Sequence, residues 1–511
     1  MNLQDLQDLL TPSLREDARD LSLSIEVSGL ASDSRDVRPG FVFAAIPGTV
    51  RDGRTFLNDA AKRGAVAGLV PTDTSAALIP PAMKVVRVDD VRQTLAQMAA
   101  LFFPRQPPRI GAVTGTSGKT STVHLAREMA KALGFRAASL GTLGLIGPGC
   151  DIHGIHTTPD PIALHRTLQA LDEDGVTHVA LEASSHGLAQ SRMDGVRLAA
   201  AAFTSWGRDH LDFHATPEAY LAAKMRLFRE LLPPGGGAVL NTDLPFSDEL
   251  AAICRTRGHN VILYGHHGAD LSLTDVTPSP GGQRMTVRWA GTPRTILLPL
   301  AGRFQAMNAL AAMGLLMALG APAEALPEAL AHVPPVPGRL QDLGTTARGG
   351  RVFVDYAHKP DALENVLSDL RLQVDLHPGA KLVVVFGCGG DRDVGKRPLM
   401  GALAQRLADE VIVTDDNPRS EDPAAIRAAI RAGCVPGPTL LDIGDRQTAI
   451  EEALARLGPG DLLVVAGKGH EAGQIIGNRM IPFDDGDVIR AALKAQGGNA
   501  EGSGPLERKT S

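Results

Sequence analysis

The sequence predicts an α/β protein of three domains. A smaller N-terminal α/β domain is expected over residues 1–106 and a central doubly wound sheet of the phosphate-loop ATPase type over 107–337. A C-terminal Rossmann-like α/β domain is expected over 338–496, with 497–511 a disordered tail. Three observations carry this reading. Apolar runs of strand length alternate with helical patterns through most of the chain, which builds mostly parallel sheets. A glycine-rich segment, 111–121, joins one such strand to a helix. Two proline-rich stretches, 104–108 and 334–338, interrupt the alternation and mark boundaries.

Taken in order, residues 41–46, 67–70 and 85–88 read as short apolar strands, and 57–63 and 91–103 as helices. The nucleotide strand begins at Ile110, and 176–182, 199–204 and 237–241 follow as further buried strands. Between Leu271 and Leu300 the pattern turns strand-rich, as expected of a small antiparallel addition. Residues 309–321 read as a buried helix. Beyond the second proline stretch, 351–356, 381–386, 410–414 and 461–466 are strands with helices between them.

Composition narrows the function classes. With 511 residues, 44% hydrophobic and 21% charged, the chain is ordinary for a globular protein and too long for one core. A formal net charge of −6 argues against a nucleic-acid partner. Four scattered cysteines with no CxxC pair argue against a zinc site or a disulfide framework and suit a reducing compartment. The first 17 residues alternate acids with leucines, unlike a signal peptide, and the longest apolar stretch is too short to span a bilayer. A cytoplasmic monomer acting on small molecules is the expectation, with no membrane partner.

The segment from Thr114 to Ser121 carries the most chemistry. Gly115 and Gly118 let the backbone turn its N–H groups inward around phosphate oxygens, with Thr116 and Ser117 between them. Lys119 adds a charge near the β- and γ-phosphates, and the Thr120 hydroxyl can ligate Mg²⁺. The loop is one residue shorter than the common phosphate loop. It predicts ATP or GTP.

Two strand ends add to it. Glu182 closes one strand and is followed by Ala183-Ser184-Ser185-His186-Gly187, at the edge where an α/β sheet faces its ligand. The next strand runs into Arg208-Asp209-His210-Leu211-Asp212-Phe213-His214. Glu182 with His210 would suit a second metal, Mg²⁺ or Mn²⁺; a helix cap and loop hydrogen-bonders are the plainer alternatives.

The runs TGTSGKTS, LEASSHGLAQSR, RDHLDFH, PGRLQ, DYAHKPDAL, GCGGDRDVGKRPLM, TDDNPRSEDP and GKGHE occur in this order. Together they resemble the Mur ligases, cytoplasmic enzymes that add amino acids to the peptidoglycan precursor. The resemblance covers about residues 25 to 490. It implies an ATP-dependent amide ligase that adds meso-diaminopimelate to the D-glutamate of UDP-N-acetylmuramoyl-L-alanyl-D-glutamate through an acyl phosphate.

The resemblance also implies roles. ATP would sit on Gly115 to Ser121, with Asn308, Arg339 and Asp355 in contact with it. Lys119, Glu182, His210 and Lys224 would be the catalytic set. Mg²⁺ would draw on Thr120, Glu182, His210 and a CO₂-derived carbamate on Lys224; read alone, Lys224 is an exposed helix lysine. The nucleotide substrate would meet Ser32, Ser34, Thr49, Val50 and Arg51, then Thr157, Thr158, Ser184, Gln190 and Arg192. The incoming amino acid would meet Arg392, Asp416, Asn417, Pro418, Arg419, Gly467 and Glu471. Within that set Arg419 can bind the distal carboxylate that distinguishes diaminopimelate from lysine, and Glu471 can take an ammonium group.

Two residues depart from the family's common pattern. Ser117 and His156 stand where asparagine is usual. The rivals are a lysine-adding member of the family, a folylpolyglutamate synthase, and a nucleotide switch without ligase chemistry.

Overall fold

The computed structural model describes residues 26–48, 51–152, 156–279 and 281–500. Its chain divides into two compact units, one of residues 1–262 with 314–321 and one of 263–313 with 322–511.

The first unit opens with a four-stranded parallel sheet, Gly29–Ala31, Phe41–Ala44, Ala67–Pro71 and Lys84–Val88, in chain order. Alternation along each strand serves two cores. Val42, Leu69 and Val86 pack on Leu95 and Met98 of helix Val91–Phe102, while Phe43 and Val70 pack on Leu57 and Ala60 of helix Leu57–Lys62. Asp90 starts the longer helix by accepting hydrogen bonds from the Arg92 and Gln93 backbone N–H groups.

The larger sheet of this unit places Arg109–Thr114 at its centre, between parallel neighbours Leu198–Phe203 and His178–Glu182. Register pairs Thr114 with Phe203 and Val113 with Glu182. The phosphate loop therefore leaves the sheet beside Thr204 on one side and Glu182 on the other. Gly237–Asn241 and Ala137–Gly141 extend the parallel sheet on either side, and Gly144–Gly147 with Cys150–Ile152 adds an antiparallel edge.

In the second unit, strands Leu271–Ser279, Gly282–Trp289 and Thr292–Leu298 form the expected antiparallel addition. A six-stranded sheet follows in the order Gln341–Thr345, Arg351–Asp355, Leu462–Ala466, Leu382–Phe386, Glu410–Val413, Leu440–Asp442. It is parallel except for its first strand. The interior strands are continuous apolar runs because both faces are covered, one by a core around Phe353, Leu367 and Val384, the other by one around Val354, Ile450 and Val465. Asp355, Gly387, Thr414 and Gly467 leave the sheet at its carboxyl edge.

The end of the chain departs from expectation. Residues 497–500 were expected to open the disordered tail, yet Asn499 and Thr345 exchange backbone hydrogen bonds of 2.9 Å and Gly498 N–H reaches Leu493 O at 2.8 Å. The polar, glycine-rich composition hid a main-chain pairing that needs no apolar side chain. Residues 501–511 lie outside the described residues.

One buried ion pair organises the C-terminal sheet. Arg446 and Asp485 are both 0% exposed, and the guanidinium donates twice to the carboxylate at 2.7 Å. Its remaining donors reach Asp415 O at 3.3 Å and Ala466 O at 3.0 Å. Removing one partner strands the other charge in the core, so Asp485→Asn is expected to cost about 3 kcal/mol of stability, read by urea denaturation. A change under about 0.5 kcal/mol would contradict this account.

Candidate active site

The phosphate loop is shaped by its own glycines and by the neighbouring strand. Gly115 has φ +143° and a Cβ there would lie 2.0 Å from Thr204 Oγ1; Gly118 has φ +87° and starts helix Lys119–Ala132. Thr116 N–H donates to Ser205 O and Ser117 N–H to Ser205 Oγ, each at 2.8 Å. Thr204 Oγ1 donates to Ser117 O at 2.6 Å. Position 117 is thus held by main-chain atoms while its side chain is exposed.

Lys119 Nζ lies back on the loop, donating to Gly115 O at 2.8 Å and Thr116 O at 3.0 Å. Lys224 is the larger surprise. On helix Pro217–Arg226 it is only 1% exposed, and its Nζ donates to Gly115 O at 2.7 Å while lying 4.4 Å from the centre of the Tyr220 ring. The Tyr220 hydroxyl in turn donates to Thr116 Oγ1 at 3.2 Å. The exposed surface lysine that residue patterning alone suggests is instead a buried cation beneath the phosphate loop.

Glu182 is 2% exposed, and its carboxylate accepts from Thr142 N–H at 2.7 Å and Thr142 Oγ1 at 3.1 Å. Gly141 is required beside it, since a Cβ there would lie 2.2 Å from Glu182 Oε1. His210 sits in the left-handed region at φ +51°, with Nε2 3.2 Å from Asp209 Oδ2 and its ring edge-on to His186 at 4.6 Å. Among the described residues no group of three or more His, Cys, Asp or Glu side chains converges to hold a metal.

Next to Glu182 the residues expected to meet the nucleotide substrate form one network. Thr157 Oγ1 lies 3.1 Å from Thr142 Oγ1, and buried Thr158 donates to Glu182 O at 2.8 Å. Ser184 Oγ is 3.0 Å from Thr158 Oγ1 and caps the turn by accepting from Gly187 N–H. Arg192 donates to Thr158 O at 2.7 Å and to Gln190 Oε1 at 2.7 Å through its second amino group. Burial lowers the Arg192 and Arg92 guanidinium pKa values, and Arg92 adds repulsion at Arg192. In the N-terminal sheet region Ser34 is buried whereas Ser32 and Arg51 are exposed; Thr49 and Val50 lie outside the described residues.

A second cluster lies in the other unit. Asn308 Nδ2 donates to Gln305 Oε1 at 2.9 Å, Gln305 reaches Arg339 O at 3.3 Å, and Arg339 stacks 4.4 Å over the Tyr356 ring. Asp355 accepts from Leu340 N–H at 2.6 Å, and burial lifts its carboxyl to about 6 against the pull of Arg339. Gly467 N–H donates to Asp355 O at 3.1 Å, joining this group to the residues expected to meet the amino acid.

There Asn417 Nδ2 donates to Glu471 Oε2 at 2.9 Å, and the Tyr356 hydroxyl lies 3.5 Å from Glu471 Oε1. Arg419 takes φ +52° and pairs through its backbone with Ile475 and Gly477, while its Nη1 donates to Gly390 O at 2.7 Å. Asp416 is buried; its carbonyl accepts from Gln474 Nε2 at 2.7 Å, and Pro418 O sits where a Cβ on Gly390 would be. Arg392 is exposed and donates to Asp391 O at 3.1 Å. Asp391 binds Ser420, which with Arg419 and Arg392 nearby holds its carboxyl below the usual range.

Three family profiles match in sequence: the Mur ligase family catalytic domain over 26–103, the Mur ligase middle domain over 113–316, and the Mur ligase glutamate ligase domain over 338–469. A Mesorhizobium japonicum protein named UDP-N-acetylmuramoyl-L-alanyl-D-glutamate–2,6-diaminopimelate ligase is 50% identical over 93% of this chain and 96% of its own. One of the same name from Brucella melitensis is 51% identical over 92% and 95%.

The chain belongs to the Mur ligase family.

A solved structure titled with that same ligase name is 33% identical, with a TM-score of 0.69, covering 98% of this Mur ligase and all of that chain. A Mycobacterium tuberculosis folylpolyglutamate synthase with ADP aligns at TM-score 0.59 and 20% identity over 74% of the chain, a likeness of fold alone. The three-domain α/β architecture expected from the sequence is that of the family.

Several residues of this Mur ligase escaped sequence reading. Thr204 and Ser205 shape the loop from the next strand, Thr142 holds Glu182, and Gln305 joins Asn308 to Arg339. Only Gln305 left a usable signal, a polar residue three before Asn308 on an otherwise apolar helix.

Proposed function

We propose that this Mur ligase forms an amide between the D-glutamate γ-carboxylate of UDP-N-acetylmuramoyl-L-alanyl-D-glutamate and an amine of meso-diaminopimelate, using ATP. The observation that carries the amino-acid choice is the Asp416-Asn417-Pro418-Arg419 run, tied to Glu471 through Asn417 Nδ2 and to Gly390 O through Arg419 Nη1. The names borne by relatives at about half identity over nearly the whole chain support the same reading.

The γ-phosphoryl group passes to the carboxylate, giving an acyl phosphate and ADP. The amine attacks the acyl carbon and phosphate leaves. No enzyme nucleophile is needed, so positioning and charge neutralisation supply the rate. Gly115 to Ser121 hold the phosphates, with Lys119 offsetting charge on the transferring group; Asn308, Arg339 and Asp355 take the rest of ATP. Ser32, Ser34, Thr49, Val50 and Arg51 take the uridine end of the substrate, and Thr157, Thr158, Ser184, Gln190 and Arg192 its other end. The functional divisions are 1–106 for the nucleotide substrate, 107–337 for ATP and 338–496 for the amino acid.

The donor set suits Mg²⁺, which takes one or two carboxylates and completes its shell with phosphate oxygens and water. Thr120, Glu182, His210 and a carbamate on Lys224 would hold it, and its chemistry is neutralisation of phosphoryl charge. The buried Lys224 Nζ under the loop supports the carbamate, since that modification would replace a buried cation with an anion at the metal. No helix among the described residues is long and apolar enough to cross a membrane.

Phosphate release from ATP with the UDP-dipeptide should rise with meso-diaminopimelate and stay near background with L-lysine. Equal stimulation by lysine overturns the amino-acid assignment, and no stimulation by either overturns the ligase reading.

A further inference from the structure

Lys468 lies in the Gly467-Lys468-Gly469-His470-Glu471 run and no role has yet been given to it. Its side chain is 0% exposed. A buried ammonium is tolerated only where acceptors surround it, and an ammonium has three N–H donors to satisfy. Lys468 has three acceptors, two from the Glu471–Gly473 segment that follows it and one from Asn417. Gly473 O lies at 2.5 Å, Glu471 Oε2 at 3.4 Å and Asn417 Oδ1 at 3.5 Å. No donor is left over for a substrate.

Each acceptor bears on the amino-acid pocket. Gly473 begins the hairpin of Gly473–Ile476 and Arg479–Pro482, whose Ile475 and Gly477 hold the Arg419 backbone. Asn417 Oδ1 also accepts from Ile475 N–H at 2.9 Å. With two donors on its oxygen, the Asn417 amide has one orientation, the one that turns Nδ2 to Glu471 Oε2. The same ammonium therefore fixes the amide, the carboxylate and the hairpin.

We propose that Lys468 is the positioning residue of the amino-acid pocket, holding Asn417 and Glu471 in the arrangement that receives the ammonium end of the amino acid. It acts through these residues rather than by touching substrate. This rests on the pocket reading above, in which Glu471 meets the amino acid.

The test is steady-state kinetics with all three substrates on Lys468→Met, Glu471→Gln and the double variant of the full chain. Lys468→Met keeps the length of the side chain and removes its charge. It is expected to raise KM for meso-diaminopimelate about tenfold or more, with smaller effects on kcat and on KM for ATP and the UDP-dipeptide. In the Glu471→Gln background the same change should add less than about threefold, because the partner it positions is already neutral. Lys468→Gln, which keeps two donors on a shorter stem, should show the same pattern at lower amplitude if the methionine variant folds poorly. Equal penalties in both backgrounds, or a uniform loss across all three substrates, overturn the positioning role in favour of bulk stability. An unchanged diaminopimelate KM in Glu471→Gln alone overturns the pocket reading, and the inference with it.

Discussion

Lys224→Ala should lower turnover by about 10²–10³-fold, the usual scale for losing one preorganised electrostatic group, and formate or acetate should restore part of it. The argument starts from burial. A lysine 1% exposed, with Nζ 2.7 Å from Gly115 O and packed over Tyr220, is built into the base of the phosphate loop. As an ammonium it does one thing, tethering the loop carbonyl. As a carbamate it would present anionic oxygen to the Mg²⁺ proposed at the phosphate loop. Small carboxylates can replace the second and not the first, so rescue separates them. Lys224→Arg sharpens the contrast, because it keeps a donor for Gly115 O and cannot carry the carbamate under these conditions. Loss in both variants with rescue only in the alanine form supports the carbamate. Loss without rescue assigns Lys224 to the tether, and unchanged turnover removes it from the reaction.

Arg419→Leu is expected to reduce kcat/KM for meso-diaminopimelate by about 30- to 5,000-fold, the 2–5 kcal/mol lost when one partner of a desolvated charge pair is cut away. The left-handed backbone of Arg419 and its pairing with Ile475 and Gly477 fix where the guanidinium starts, and the Gly390 carbonyl fixes one of its nitrogens. A side chain so constrained selects by geometry as well as by charge. L-Lysine, lacking the distal carboxylate, should lose nothing from the change, so the ratio of the two substrates should narrow. A parallel fall for both amino acids would assign Arg419 to folding of the loop.

Legibility in the sequence followed the physics of each part. Strands such as Leu382–Phe386 and Leu462–Ala466 are buried on both faces and wrote themselves as apolar runs. The tight turn at Gly115 and Gly118 was legible because both positions need a positive φ that glycine supplies. Lys224 was not, since periodicity reports where a helix faces and is silent about a lysine folded under a loop. Thr204 and Thr142 were invisible for a related reason: a hydroxyl that bonds a carbonyl or carboxylate across strands looks like any surface threonine. The pairing of Asn499 with Thr345 is carried by main-chain atoms alone, which composition cannot register.

The ties from Thr204 and Ser205 to the phosphate loop have a thermodynamic consequence. The N–H groups of two loop positions, Thr116 and Ser117, donate to Ser205, and the Ser117 carbonyl accepts from Thr204, so the loop backbone is already tied to the neighbouring segment. Nucleotide binding then spends little conformational entropy on the loop, leaving more of its intrinsic energy to appear as affinity. That rigidity also makes the loop insensitive to its own exposed side chain. Thr204, outside every motif, carries the tie to Ser117 O and Thr114 O that holds this geometry.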